Sequence, residues 1–303
     1  MNKKMKYVIT GGLGHISKPV TEALVKNGKQ VTVVSSSESR KPEIEKAGAA
    51  AAIGSVADRD FVTTVFQDAD IVYLMIPPNF QADDFPAYQK IVADNYVAAI
   101  KNSKITHVVL LSSIGAHLRK GAGPIDALGY LEGELEKLDN LNLKLLRPSY
   151  FYYNLFTMAG LIKHAGIAGS NFGSTDEKLV LVHDQDIAEK VTSILLNPDF
   201  TGHTIEYISS DERHPQEIAA VLGKAIGKDN LAWVTFTDEQ AEHGMLQAGL
   251  KPTMAENYTA MGRALREGRA QEDYWRNKPL QQGKTKLEEF AASFAGYYKS
   301  LAD

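Results

Sequence analysis

The chain has 303 residues, 44% of them hydrophobic, enough for a sizeable core in one large domain or a domain with an appendage. Its 33 basic and 37 acidic residues leave a formal charge of -4, with no block of five or six like charges, which argues against nucleic acid as a direct ligand. Zero cysteines exclude a disulfide framework, a thiolate zinc site and a cysteine nucleophile. No apolar run reaches the length of a membrane span, and the basic start MNKKMKYVIT runs straight into a strand-like segment without a signal-peptide core. The expected setting is cytoplasmic, with a small-molecule substrate and no membrane.

In chain order, residues 7–10 read as a first strand and 18–27 as a helix whose Val20, Leu24 and Val25 share a face. Gly28 ends it. QVTVVSS (30–36) is a second strand, KPEIEKAG (41–48) a short helix, AAAAIG (49–54) a weak third strand, and 58–69 a helix opening on Asp58 as its cap. IVYLMIPP (71–78) is an unbroken apolar run, as expected of a parallel strand covered on both faces. A long helix (85–102), a fifth strand HVVLLSS (107–113), a fifth helix (125–138) and a sixth strand LKLLRP (143–148) follow. This alternation predicts an α/β fold with a doubly wound parallel sheet of Rossmann type. After Pro148 the rhythm loosens. SYFYYNLF is aromatic and irregular, residues 178–198 and 203–227 each hold a strand and a helix, and the segments from 238 to 250 and from 286 to 303 are helical by pattern. The expected division is a nucleotide-binding domain over 1–150 and a smaller, mostly helical α/β lobe over 151–303 for substrate or partner.

The stretch VITGGLGHIS (8–17) carries the first functional signal. A strand that ends in Gly11-Gly12-Leu13-Gly14 and feeds a helix puts bare backbone amides at a positive helix end, which is an anion site. Gly11 and Gly14 take the tight-turn and close-approach positions of a dinucleotide fingerprint, and Ser17 stands where a third glycine is usual. The end of the second strand selects the nucleotide. An NAD site wants an acidic residue there to hold the ribose diol. This chain has Ser35, Ser36 and Ser37, then Glu38, Ser39, Arg40 and Lys41, a pattern that suits a 2′-phosphate better. NADP is favoured, with NAD the alternative.

TGGLGHIS, the IPP after the fourth strand, HVVLLSSIGAH, LRPSYFYYN and HDQDIAEKV together resemble the NmrA-like branch of the atypical short-chain dehydrogenases over about the first 200 residues. The resemblance implies a Rossmann fold binding NAD(P). It further implies either quinone-reductase-like oxidoreductase activity or a non-catalytic sensor of NADP(H) with a regulatory protein partner. By that likeness Gly11, Leu13, Gly14, His15 and Ile16 cradle the pyrophosphate, and Ser35, Ser36 and Arg40 the adenosine ribose. Ser55 and Val56 meet the adenine, and Ile76 and Pro77 lie near the nicotinamide. Ser55 departs from an Asp frequent in the family.

Ordinary short-chain dehydrogenases pair a Tyr with a Lys four residues on, which lowers the phenol pKa. Here Tyr130 is followed at that distance by Glu134, which raises it instead. Tyr130 is therefore the candidate catalytic residue only as a hydrogen-bond donor, and packing is its competing role. Quinone reduction asks less of the protein, because the cofactor carries the hydride step. Tyr150 and Phe151, with Tyr152 and Tyr153, are the candidate flat wall for an electron-poor ring; core packing is again the alternative. His183, Asp184 and Asp186 read as a helix cap rather than a metal site.

Overall fold

A computed structural model describes residues 5–173 and 177–301. Strand β1 (Lys6–Ile9) enters the core directly, with every residue after Lys6 buried. Helix α1 (Ser17–Lys26) returns on one face, burying Ser17, Val20, Thr21 and Leu24. Strand β2 (Gln30–Ser35), helix α2 (Lys41–Lys46) and strand β3 (Ala50–Ile53) complete that side. Helix α3 (Arg59–Phe66) starts where the sequence placed its cap: Asp58 Oδ1 accepts from the amides of Asp60 and Phe61 at 3.0 and 3.1 Å. Strand β4 (Ile71–Leu74) is buried throughout. It is shorter than its apolar run predicts, because Pro77 and Pro78 have no N–H for a ladder and the Met75 amide is taken by Thr10 Oγ1 at 2.9 Å. Helix α4 (Phe85–Lys101), strand β5 (His107–Leu111), helix α5 (Ile125–Leu135) and strand β6 (Asn142–Pro148) follow as expected.

The second half of the chain is carried on the same sheet as the first. Strand β7 (Tyr150–Phe151), helix α6 (Met158–Ala165), strand β8 (Ile167–Ser170) and strand β9 (Leu179–Val182) lead into helix α7 (Asp184–Leu196), which packs beside α1. Strand β10 (His203–Ile208) then joins β6 in parallel as a seventh strand, one more than the alternation predicts. The order β10-β6-β5-β4-β1-β2-β3 is parallel at every pairing. Strand β11 (Asp211–Arg213) pairs with β9, and β9 with β7, in a small second sheet. Helix α8 (Pro215–Ala225) and strand β12 (Ala232–Thr235) follow, β12 pairing with β8. Helices α9 (Asp238–Gln247), α10 (Pro252–Arg266), α11 (Glu272–Arg276) and α12 (Leu287–Ser300) complete the lobe. Positions 1–4, 302 and 303 of the expected division lie outside the described residues. Among those described, no helix is long and apolar enough to cross a membrane.

One buried ion pair ties the sheet to this lobe. Arg147, on β6, grips Glu132 of α5 with two bonds, Nε to Oε1 at 3.0 Å and Nη2 to Oε2 at 2.6 Å. Ser112 Oγ donates to the same Glu132 Oε1 at 2.6 Å. Arg147 Nη1 reaches outward to Tyr207 Oη at 3.0 Å and to Asp273 Oδ2 of α11 at 2.9 Å. The pair is 5% and 1% exposed, so removing one partner leaves a charge that water cannot reach. Glu132→Gln should therefore lower unfolding free energy by about 3–5 kcal/mol, whereas Lys90→Ala, at an exposed pair with Asp94, should cost under about 1 kcal/mol; urea unfolding of both variants checks this.

Candidate functional site

The turn after β1 is built for backbone rather than side chains. Gly11 and Gly12 have φ of 91° and 65°, in the left-handed region, and a Cβ on Gly11 would sit 2.4 Å from the Met75 sulfur. A Cβ on Gly14 would meet no neighbour closer than the Gly11 carbonyl oxygen, 3.9 Å away, so the space beside Gly14 belongs to the cleft. The hydroxyl of Ser17, buried in the third fingerprint position, donates to the Thr10 carbonyl at 3.5 Å and ties the helix to the strand it follows. No side chain caps α1 and its first turn holds no acidic residue. Its positive end is left for an anionic ligand.

A cleft of about 400 Å³ opens over this turn. Gly11, Leu13, Gly14, Ser35, Ser36, Arg40, Ser55, Val56 and Pro77 all line it, so nine predicted cofactor positions meet in one place. His15, Ile16 and Ile76 do not line it. Ile16 and Ile76 are buried beneath, and His15 turns to a neighbouring cleft. Three participants escaped the sequence reading. Tyr88 of α4 forms part of the wall, and Asn95 of the same helix donates to the Val56 carbonyl at 3.1 Å, holding the loop of Ser55 and Val56. Lys18 shares Glu43 with Arg40: each cation lies 3.0 Å from one of its oxygens. The Lys18 hydrogen bond, then that of Arg40, holds the Glu43 carboxyl below the usual range. Open room at Gly14, an uncapped helix end and the Arg40 cation beyond β2 fit a dinucleotide with its pyrophosphate on α1.

The second cleft, about 950 Å³, lies where α1, α7 and α12 meet. Of the four aromatics expected as its wall, Tyr152 and Tyr153 line it, and Tyr150 and Phe151 do not. Tyr150 packs against Phe172 at 5.0 Å between ring centroids, and Phe151 packs on the core under the main sheet. The chain then enters a 3-10 helix (Tyr152–Thr157), whose three-residue period puts Tyr153 and Phe156 on one face and the buried Tyr152 and Leu155 on the other. Tyr153, Phe156, Phe290, His15, His183 and Asp184 line the cleft, together with the edge of Tyr152. The His15 ring lies against Tyr153 at 4.4 Å. His183 caps α7 as predicted, Nδ1 accepting from the Gln185 amide at 3.0 Å. Asp186 instead pins the segment before α12, accepting from the amides of Lys284 and Thr285, both at 3.2 Å. Burial pushes the Asp184 carboxyl above the ordinary range, against the pull of His15 and His183.

Tyr130 lines neither cleft, a correction to its candidacy as the catalytic residue. Its hydroxyl donates to Asp94 of α4 at 2.7 Å and accepts from Lys90 at 3.3 Å, stitching two helices together. The Asp94 bond raises the phenol pKa above its ordinary value. Its neighbour across the helix pair, not Glu134, decides its state.

Residues 11–198, more than half of the chain, match the family described as NAD(P)H-binding. The chain belongs to that NAD(P)H-binding family. A Bacillus subtilis protein described as the uncharacterized oxidoreductase YesF is 24% identical over 99% of both chains. Among solved structures, the NADPH-dependent quinone oxidoreductase of Escherichia coli in complex with NADPH superposes with a TM-score of 0.77 at 17% identity, covering 95% of this chain and 99% of that one. The triphenylmethane reductase of Citrobacter gives 0.75 at 16% identity, covering 96% and 100%. A nucleoside-diphosphate-sugar epimerase of Staphylococcus aureus gives 0.75 at 18% identity, covering 95% and 100%. These likenesses show the fold.

Two substitutions separate binding from catalysis. Gly14→Val should keep its circular dichroism spectrum and melting cooperativity while losing nucleotide binding in a calorimetric titration, since the added methyls enter the cleft and not the fold. Tyr130→Phe should leave nucleotide affinity intact and lower any turnover by less than about tenfold, since the two hydrogen bonds it loses, to Asp94 and from Lys90, lie outside both clefts.

Proposed function

We propose that the protein is an NADPH-dependent reductase of planar, electron-poor small molecules such as quinones, in the NmrA-like branch of its family. The observation that carries this reading is the junction of the two clefts at consecutive residues: Gly14 lines the nucleotide cleft and His15 the aromatic one. A dinucleotide with its adenosine between Ser35–Arg40 and Ser55–Val56, and its pyrophosphate on α1, is directed toward that junction. Bound NADPH supplies the hydride. The chain's own part is to orient and to exclude water. Tyr153 and Phe156 present flat faces from one side of the 3-10 helix, and Phe290 closes the back. Arg40 and Lys18, already drawn together on Glu43, favour a 2′-phosphate, while Ser36 and Ser37 offer hydroxyls at the end of β2. Two of the structural relatives are, by their descriptions, an NADPH-dependent quinone oxidoreductase and a triphenylmethane reductase, which supports the same reading.

The test combines binding and turnover. NADPH should bind more tightly than NADH in calorimetry, and Arg40→Ala should weaken NADPH by about tenfold while scarcely moving NADH, the loss expected for a charged hydrogen bond. Purified protein should oxidise NADPH in the presence of simple quinones. NADPH binding without oxidation by any quinone, aldehyde or dye would replace the reductase with a nucleotide sensor acting through a protein partner.

A further inference from the structure

Hydride uptake completes some reductions and leaves others half finished. A quinone that takes up hydride becomes an anion and reaches the quinol only with an added proton, whereas an aromatic carbocation is complete after hydride alone. The aromatic cleft therefore calls for a proton source for the first class of substrate. Tyr130 is outside it and tied to Asp94.

The residue in place is Asp184, the first residue of α7. Its Oδ1 is buried and has no hydrogen-bond partner, which leaves Oδ2 as the oxygen that meets the cleft. A carboxylate with one buried oxygen unsatisfied is costly, and a proton on the other oxygen removes the charge that makes it so. Tyr152, Tyr153, Phe156 and Phe290 make the surroundings apolar, and no lysine or arginine is among the described residues lining the cleft. The titratable groups that share the cleft with Asp184 are few. His183 has Nδ1 committed to the Gln185 amide, and the His15 ring lies tilted against Tyr153. Glu189 of α7 is engaged by Gln185 at 3.3 Å and Lys284 at 3.7 Å; α1 contributes Pro19 and Ala23, and α12 Phe290 and Ser293, all uncharged.

We propose that Asp184 is the catalytic proton donor to carbonyl substrates bound in the aromatic cleft. The proposal rests on the reductase reading and adds the source of its proton. The substrate gains two electrons and one hydrogen from the reduced nicotinamide, leaving the oxidised nucleotide. The new O–H bond forms as the Asp184 Oδ2–H bond breaks, and the carboxylate then recovers its proton from solvent through the open mouth of the cleft. The protonated form is the active one. Because burial holds that pKa above the ordinary range, quinone turnover falls as pH rises through it.

Asp184→Asn keeps the shape of the side chain and removes the transferable proton. The ratio of kcat for a simple quinone to kcat for a cationic triarylmethane dye should fall by about a hundredfold in this variant, within the range of a lost general acid, with NADPH affinity unchanged and part of the ratio restored by Asp184→Glu. The falling limb of the quinone pH profile should flatten, and this limb replaces the ratio if the dye is not accepted. An infrared difference spectrum, wild type minus Asp184→Asn without nucleotide, at a pH below the falling limb of the quinone profile and above the range of ordinary carboxyls, should show a protonated carboxyl band. An unchanged ratio and pH profile, or a spectrum with carboxylate bands alone, overturns the donor while leaving the reductase standing. Wild-type protein that binds NADPH and reduces neither substrate ends both.

Discussion

A parallel strand cannot fold back on its own neighbour, so at the end of β1 the chain must leave the sheet and open a helix within a few residues. Gly11 and Gly12 make that exit in left-handed backbone, with Met75 packed where a Cβ would stand on Gly11. The remaining parts of the site are referred to this turn. Ser17 ties α1 to Thr10, and Thr10 ties the end of β4 to the end of β1 through the Met75 amide. The glycines thus fix the distance between the anion-binding helix end and the Pro77–Pro78 wall opposite.

The two clefts that flank the turn differ in charge. On the nucleotide side Lys18 and Arg40 converge, and the helix end adds its partial positive charge. On the aromatic side the ionisable groups other than tyrosines are His15, His183 and the carboxyls of Asp184 and Glu189, and no lysine or arginine is among the described lining residues. The first setting favours an anion, and the second sets no cation against a neutral or positively charged molecule. The helix α7, which closes the aromatic side, is placed by the return of the chain to β10, so the later half of the sequence completes a site begun by the first.

Local signals were legible in the sequence and long-range ones were not. The glycine loop, the caps at Asp58 and His183 and the serines after β2 each depend on neighbours a few residues away, and each has the local structure its sequence implies. Tyr88 reaches the nucleotide cleft from α4 and Asn95 braces the Val56 carbonyl beside it, and no local pattern announces this. The aromatic run divided in a way its sequence did not indicate: Tyr152 and Tyr153 line the cleft, and Tyr150 and Phe151 do not. Alternation assumes a strand, but the strand lasts only for Tyr150 and Phe151, and a three-residue period then selects Tyr153 and Phe156. Strands β8 and β12 are short and pair only with each other, across more than sixty residues of chain, so neither carries a periodicity of its own. Tyr130 was judged by the neighbour four residues on, yet its state is set by Asp94, thirty-six residues away in the chain.

Glu43 gives the nucleotide cleft a further property. Lys18 and Arg40 hold a carboxylate between them, so neither cation waits in bare solvent. A phosphate placed on these cations would not simply add an ion pair. It would take two cations over from an internal anion, as in an ion exchanger. Salt screens the resident pairing and an incoming one alike, so the free energy of such an exchange would depend on ionic strength less steeply than two phosphate contacts made from solvent. The carboxylate also keeps the two side chains converged on one point, which would reduce the conformational entropy lost when an anion displaces it.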